Sequence, residues 1–437
     1  MKKRLLNILF WSVIAAAFIG PGTVTTAASA GAGFGFSLLW TLVFSTLACV
    51  VLQEASARLT AVTGRNLGQA IRDYFYDRPM GKAVVYLVLG SIIFGCAAYE
   101  TGNILGAIAG ASLILHISPF ILTLTTGILA AFLLWFGSTR TIAQVMGFIV
   151  AFMGICFLTT AVIINPPIGK ILQGSFIPAF PDGSALLILA LIGTTVVPYN
   201  LFLGSGLRHT QSLREMRLSL ALAIIIGGVI SIGVLIVGTS IAGTFTFEAL
   251  AHELELRLGS WAAWFLGFGL FAAGFSSALT APLAAAITAR SLRPDDNQQT
   301  DRWQENGSHY RLTWILVLAA GLLFGLLQVK PIPAIILAQA LNGIILPIVA
   351  IFLLLMVNNA ATLTTRNINA GWYNYLMGFV VFITLILGIT NLFKALAGIF
   401  YAGLVNEELI LGISMLLAVL LTWPIVMRIR ELRDSAA

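Results

Sequence analysis

Long apolar runs dominate this chain and are separated by short polar segments. Each run extends over about 20 residues, which is enough for a helix to cross the ~30 Å hydrocarbon core of a bilayer. The predicted spans are 8–34, 36–58, 83–113, 119–137, 141–164, 184–207, 217–244, 260–289, 312–328, 332–358, 371–394 and 408–427. This pattern predicts an all-α integral membrane protein with about 12 transmembrane helices.

The segments between the spans leave no room for a separate soluble domain. Only 290–311 is both long and polar. Composition agrees with this picture, because 59% of the residues are hydrophobic and 9% are charged, against about 25% charged residues in soluble domains. We therefore expect a single transmembrane domain over residues 1–437.

Basic residues fall mostly on one side of the predicted membrane. With the N-terminus inside, 20 of the 24 lysines and arginines lie in cytoplasmic segments, as the positive-inside rule requires. An even number of spans then puts both termini in the cytoplasm of a bacterium, with the chain in its inner membrane. The net charge of +7 is explained as a topology signal, so nucleic acid is excluded as a partner and the lipid bilayer is expected.

Proline and glycine interrupt two spans at corresponding positions. The stretch Gly20–Thr23 reads Gly-Pro-Gly-Thr, and Val197–Asn200 reads Val-Pro-Tyr-Asn. Proline removes a backbone donor, and glycine makes local unwinding cheap. Each stretch lies in the first helix of a five-helix half, and paired interruptions of this kind mark the central site of secondary transporters. We expect Gly20–Thr23 and Val197–Tyr199 to be non-helical and to face each other at mid-bilayer.

Several motifs in order give the chain a family resemblance. They are Gly20–Thr23 with the following Ala30–Trp40, then Val197–Leu201, Leu270–Ser277, and Gln339 with Leu346–Pro347. In these stretches the chain resembles the Nramp (natural resistance-associated macrophage protein) family of divalent metal transporters, whose motifs read DPGN and MPHNL. The resemblance implies a LeuT-type fold with a first repeat over 8–164, an inverted second repeat over 184–358, and additional helices over 371–427. It also implies proton-coupled transport.

The departures from the family pattern fall on its metal site. The family's aspartate and asparagine on the first helix correspond to Gly20 and Thr23. Its methionine and histidine on the sixth helix correspond to Val197 and Tyr199. Gln339 is retained. Because transition metals prefer nitrogen, sulfur or carboxylate ligands, we assign no metal-binding residues.

Two kinds of substrate remain open for the central site. Unwinding at Gly20–Gly22 frees amide groups at the positive end of a half-helix, which suits a small carboxylate or zwitterion such as an amino acid or 5-oxoproline. Backbone carbonyls and hydroxyls also suit a divalent cation, either a hard one such as Mg²⁺, which keeps several waters, or Mn²⁺ or Fe²⁺, as the family resemblance implies. The candidate substrate-binding residues are Gly20, Gly22, Thr23, Thr194, Thr195, Val197, Tyr199, Asn200 and Gln339.

Acidic residues are rare inside the spans. Glu100 lies deep in the third span, and an ionised acid is costly there, so it is the candidate for carrying the coupling proton. The resemblance supports this role and places Asn103 where the family has a second acid. The alternative is a structural acid hydrogen-bonded to Asn103. Glu54 is instead predicted to pair with Arg58, four residues on.

Other functional classes fit the sequence less well. No HExxH, GxSxG or P-loop motif occurs, so neither an enzyme nor a cofactor is predicted. The three cysteines have no CxxC spacing, which argues against a zinc site or a disulfide framework. An ion channel stays open as an alternative to a transporter. The expected ligands are a small molecule or ion and, as coupling ion, the proton.

Overall fold

The chain folds almost entirely into α-helices. The computed structural model describes residues 19–136, 139–206, 212–293, 300–363, 367–400 and 407–434, and these residues contain no β-strand. The helices are α1 (Pro21–Phe34), α2 (Leu39–Thr63), α3 (Leu67–Phe75), α4 (Gly81–Ile114), α5 (Pro119–Phe136), α6 (Thr139–Ile164), α7 (Ile168–Phe176), α8 (Ala185–Thr195), α9 (Pro198–Gly206), α10 (Leu213–Gly238), α11 (Phe247–Leu258), α12 (Trp261–Ser291), α13 (Ser308–Leu326), α14 (Pro331–Met356), α15 (Ala360–Leu363), α16 (Gly371–Phe400) and α17 (Glu407–Asp434).

Eleven stretches of the described residues are long and apolar enough to cross a membrane. They correspond to the second to twelfth predicted spans. The first predicted span, 8–34, lies only in part within the described residues, which begin at Ile19 and include α1. Proline inside a span does not always break it, because α12 and α14 run unbroken through Pro282 and Pro347.

Four short helices occupy connections that the sequence pattern left unassigned. They are α3, α7, α11 and α15. The start of α3 has a reciprocal cap, in which the Asn66 side chain accepts from the Gln69 backbone amide while the Gln69 side chain accepts from the Asn66 backbone amide. These helices are too short to be predicted as spans.

Small residues allow α4 to lie at the centre of the bundle against α12, α13 and α14. A β-carbon at Gly110 would come within 2.6 Å of Leu270 on α12, and one at Gly321 within 2.7 Å of Glu100 on α4. A β-carbon at Gly106 would overlap Pro21, at the start of α1. Such close approach is how membrane helices gain packing energy, since lipid is as apolar as their side chains. It brings α4 directly against the first interruption.

Candidate functional site

The interruption before α1 is shorter than the Gly20–Thr23 motif that predicted it. Ile19 and Gly20 are non-helical, and Gly20 has extended backbone angles of φ −98° and ψ 177°. Helix α1 begins at Pro21, so the expectation that Gly22 and Thr23 are also unwound is wrong. Proline lacks the N–H that the first helical residue leaves unpaired, and its fixed φ suits that position. Pro21 therefore starts a helix here instead of disrupting one.

The second interruption separates α8 from α9. Helix α8 ends at Thr195, Val196 has φ −106° and ψ 80°, and α9 begins at Pro198. The break therefore consists of Val196 and Val197. Tyr199, which we expected to be non-helical, lies in the first turn of α9, as does Asn200. As at Pro21, the proline is the first residue of a new helix.

The two interruptions meet through a pair of threonines. Thr23 Oγ1, in the first turn of α1, lies 3.1 Å from Thr194 Oγ1 near the end of α8. Thr23 is 1% exposed and Thr194 is fully buried. The predicted juxtaposition of the start of α1 with the end of α8 is therefore present.

The side chain of Gln339 on α14 packs against Gly22 at the start of α1. A β-carbon at Gly22 would lie 2.7 Å from Gln339 Cδ and 3.1 Å from Thr194 Oγ1, so any larger residue here would displace the Gln339 amide. Gln339 is 1% exposed, and its Oε1 has no hydrogen-bond partner among the described residues. An unpaired buried amide oxygen is costly, which marks this position as one that a ligand or water would satisfy.

Two tyrosines link the interruptions across α4. The ring of Tyr99 on α4 meets that of Tyr199 on α9 edge to face, with centroids 5.3 Å apart. The Tyr99 hydroxyl and Ser277 Oγ of α12 each lie 3.9 Å from where a β-carbon of Gly20 would be. Gly20 is thus surrounded by hydroxyl groups that come from two other helices.

Two of the remaining candidates at the second break, Thr195 and Val197, form hydrogen bonds within their own segment of the chain. The Thr195 hydroxyl donates to the Leu191 carbonyl at 2.8 Å, within its own helix. Val197 is fully buried, and its carbonyl accepts from the Asn200 amide at 3.1 Å. Asn200 is 9% exposed. These three residues shape the break, and their role in binding remains a prediction.

Glu100 lies on a neighbouring face of α4. Asn103 Nδ2 donates to Glu100 Oε2 at 3.3 Å, and both residues are buried. Glu100 Oε1 has no hydrogen-bond partner, and no ion pair involves Glu100, among the described residues. Gly321 of α13 packs against Glu100. Gly102, on α4 like Glu100, instead faces Gln339. The acid is therefore close to the site but does not line the start of α1.

Sequence reasoning missed three polar residues at this site: Tyr99, Ser277 and Asn342. Asn342 is fully buried, its Nδ2 donates to the Ala338 carbonyl at 3.0 Å, and its Oδ1 faces Gly95 without a hydrogen-bond partner among the described residues. One signal was available, because Asn342 follows Gln339 by three positions and so lies near it on the helix. No such spacing pointed to Ser277.

The chemistry of the site is that of hydroxyls, amides and a helix N-terminus. The side chains that approach Gly20, Gly22 and Thr23 include those of Tyr99, Ser277, Thr194 and Gln339. The first turn of α1 contains no acidic residue, and the first amides of a helix have no partner within it. The described residues contain no group of three or more His, Cys, Asp or Glu that could hold a metal ion.

Known transporters resemble the chain in sequence. The profile of the family described as "Natural resistance-associated macrophage protein-like" matches residues 12–394. The divalent metal cation transporter MntH of Yersinia pestis (strain Pestoides F) is 30% identical over 313 residues, which are 67% of this chain and 74% of that protein. MntH of Klebsiella pneumoniae (strain 342) is 29% identical over 309 residues, 67% and 73% of the two chains.

Solved structures share the fold. A mutant of the manganese transporter of Eremococcus coleocola superposes with a TM-score of 0.73 at 18% identity, covering 100% of this chain and 94% of that one. Mhp1, a nucleobase-cation-symport-1 family transporter crystallised with bromovinylhydantoin, gives a TM-score of 0.56 at 16% identity, with 97% and 92% covered. The fold is thus of the LeuT type. With a family profile that matches most of its length, this chain belongs to the Nramp family and is a multi-pass secondary transporter.

Proposed function

We propose that this protein carries a small carboxylate or zwitterion across the bacterial inner membrane by alternating access, together with protons. The observation that carries the proposal is the composition of the first interruption. The side-chain atoms nearest to it include three hydroxyls and one amide, and the first turn of α1 contains no acidic residue. A carboxylate is stabilised at such a helix end by the free amides and by the helix dipole.

Electrostatics argue against a tightly bound transition metal at the same place. A divalent ion stripped of its water in a medium of low dielectric needs negative charge nearby. Gly20 and Thr23 occupy the positions at which the family resemblance implies an aspartate and an asparagine. Hydroxyl and amide oxygens alone supply no such charge, and they match the hydrogen-bonding needs of an organic solute.

Glu100 is the residue we propose for proton coupling. It is fully buried, and a charged side chain inside a membrane span is costly. Its hydrogen bond to Asn103 orients one carboxyl oxygen, while the other has no partner among the described residues. A carboxyl group that alternates between neutral and ionised forms as the transporter changes conformation would carry one proton per cycle.

A divalent cation is the second candidate substrate. Cys96 and Glu100 are both fully buried and lie four positions apart on α4, hence on one face of the helix. A thiolate and a carboxylate are ligands that transition metals accept, and the MntH relatives are named as divalent metal cation transporters. This pair would place the metal beside α4 instead of at the start of α1.

Uptake by purified protein in liposomes distinguishes the two candidates. Proteoliposomes with an inward proton gradient are given radiolabelled carboxylates and amino acids in one series, and Mn²⁺ or Mg²⁺ in the other. We expect accumulation of a carboxylate, abolished by a protonophore, and no accumulation of either metal. Metal uptake that Cys96→Ala removes, without carboxylate uptake, would contradict the first proposal and support the second. An ion flux far above ~10³ ions per second through one protein molecule would indicate a channel, because it exceeds the usual turnover range of catalysed steps.

A further inference from the structure

An apolar groove runs between α5 and α13, on the side of the bundle away from the central site. We call it the α5–α13 groove and define it by Phe132, Trp135 and Phe136 on α5 and by Trp314, Leu318 and Leu322 on α13. Its volume is about 450 Å³. Phe132 and Phe136 are 56% and 74% exposed, so the groove opens outwards from the protein.

The closed end of the groove is a tight helix contact. A β-carbon at Gly127 of α5 would lie 2.7 Å from Leu322 Cδ1, and one at Gly325 of α13 would lie 2.7 Å from Thr123 Cγ2. The two helices therefore touch at this level. From there the groove extends towards Phe136 and Ser308, the ends of α5 and α13 that the charge pattern predicts to be cytoplasmic.

The side chains of Arg311, Trp135 and Trp314 form the end of the groove that is predicted to be cytoplasmic. The Arg311 guanidinium carbon lies 3.9 Å from the Trp135 ring centroid, and the Trp135 and Trp314 rings meet at 6.2 Å and 78°. Arg311 Nη2 donates to Asn306 Oδ1 at 3.2 Å. No carboxylate pairs with Arg311 among the side chains that the structure describes. Tryptophan and arginine are the residues that mark the headgroup level of a bilayer.

The length of the groove matches one leaflet. Arg311 and Leu322 are eleven positions apart on a continuous helix, which corresponds to about 16 Å at 1.5 Å per residue. Half of the hydrocarbon core is about 15 Å thick. An acyl chain that reaches Leu322 would therefore place its phosphate near Arg311.

We propose that the α5–α13 groove is a binding site for an anionic phospholipid of the cytoplasmic leaflet. Its acyl chains lie against Phe132, Leu318 and Leu322, and its phosphate accepts hydrogen bonds from Arg311, whose planar fork of donors suits a phosphate. The stacking of Arg311 on Trp135 holds the guanidinium at the mouth of the groove.

Tryptophan quenching by brominated lipids tests this proposal. The protein is reconstituted in phosphatidylcholine that contains a small fraction of either dibromo-phosphatidylglycerol or dibromo-phosphatidylcholine. The fluorescence quenching that comes from the groove is the difference between the unmodified protein and a Trp135→Phe/Trp314→Phe variant. We expect the anionic lipid to occupy the groove about fivefold more readily, the preference that one arginine gives near an anionic surface. Arg311→Gln should abolish the preference, whereas Arg430→Gln, an exposed arginine at the end of α17, should leave it intact.

Two outcomes would overturn the proposal. One is equal quenching by the two lipids in the unmodified protein. The other is a preference that survives Arg311→Gln. Should Arg311→Gln fail to fold, Ala319→Phe fills the groove from α13, where Ala319 is exposed. It is expected to remove quenching by both lipids, and undiminished quenching would equally contradict the site.

Discussion

Gly22 is the residue at which the candidate site is most tightly defined. Thr194 and Gln339 approach it so closely that a single added methyl group would displace the Gln339 amide. Because that amide is the end of a flexible side chain, the substitution should disturb the ligand position more than it disturbs packing.

We therefore predict that Gly22→Ala weakens solute binding about tenfold, equivalent to about 1.4 kcal/mol, while the melting temperature changes little. Binding measured by isothermal titration calorimetry in detergent, with a parallel melting curve, checks this. Gly33→Ala is the matched control on the same helix, since a β-carbon at Gly33 would have no atom within 4 Å. Equal affinities for the Gly22→Ala and unmodified proteins would remove Gly22 from the site.

Glu100 gives a second prediction at the residue scale. Glu100→Gln keeps the shape and the hydrogen bond with Asn103 but cannot exchange a proton. Proteoliposomes of this variant should show no stimulation of uptake by a proton gradient, while solute affinity in detergent stays unchanged because Glu100 does not line the start of α1. Glu431→Gln, at an exposed acid of α17, serves as control. Gradient-driven uptake that persists in Glu100→Gln would give Glu100 a purely structural role.

At the scale of helices, one buried ion pair joins several elements. Arg58 Nε donates to Glu54 Oε1 at 3.0 Å, as the spacing predicted, and Arg217 Nε of α10 reaches the same oxygen at 2.8 Å. Arg58 also donates to the Asn367 carbonyl at 2.6 Å and to the Asn369 side chain. Helices α2 and α10 are thereby tied to the connection that precedes α16.

Loss of the shared Glu54 carboxylate should destabilise the protein more than loss of Arg217 alone. Arg58 is 4% exposed and Arg217 is 52% exposed at the side chain. Glu54→Gln leaves the buried Arg58 without its counter-charge and should cost about 3 kcal/mol in the free energy of unfolding. Arg217→Gln removes a half-exposed pair and should cost less than about 1 kcal/mol. Thermal or denaturant melting in detergent measures both, and similar losses for the two variants would contradict this view of the network.

Sequence reasoning was most successful for helices and least successful for side-chain contacts. Apolar runs predicted the second to twelfth spans, because a membrane helix must be apolar over a fixed length. The motifs also located both interruptions. Their extent was overestimated, because a proline can begin a helix as readily as it ends one, which Pro21 and Pro198 both do. Ser277 could not be predicted, since nothing in a single sequence shows which hydroxyl of α12 faces α1.

For the whole molecule, the orientation in the membrane is a prediction of the charge pattern. Lys330 and Arg430 are both exposed and lie on opposite predicted sides. In spheroplasts, a membrane-impermeant maleimide should label Lys330→Cys and leave Arg430→Cys unlabelled until the cells are lysed. The native cysteines Cys49, Cys96 and Cys156 are buried, which keeps the background low. The reverse labelling pattern would invert the predicted topology.

The fold of the whole molecule does not by itself determine the solute. The same LeuT-type arrangement holds a manganese transporter and a transporter crystallised with bromovinylhydantoin, and function depends on the site placed on a fold. Here the helix N-terminus at Pro21 and the paired threonines Thr23 and Thr194 offer hydrogen-bond donors that suit a carboxylate. The unpaired amide oxygen of Gln339 is an acceptor, which the ammonium group of a zwitterion would satisfy. None of these groups supplies the negative charge that a dehydrated divalent ion needs.

Equilibrium binding to the purified protein tests this claim most directly. Calorimetric titration with a panel of small carboxylates and amino acids, and separately with Mn²⁺ and Mg²⁺, compares the two chemistries on one sample, with Gly22→Ala and Gly33→Ala alongside. We expect saturable binding of a carboxylate that Gly22→Ala weakens and Gly33→Ala does not, and no saturable binding of Mn²⁺. Tight binding of Mn²⁺ that Gly22→Ala weakens, with no carboxylate bound, would contradict it.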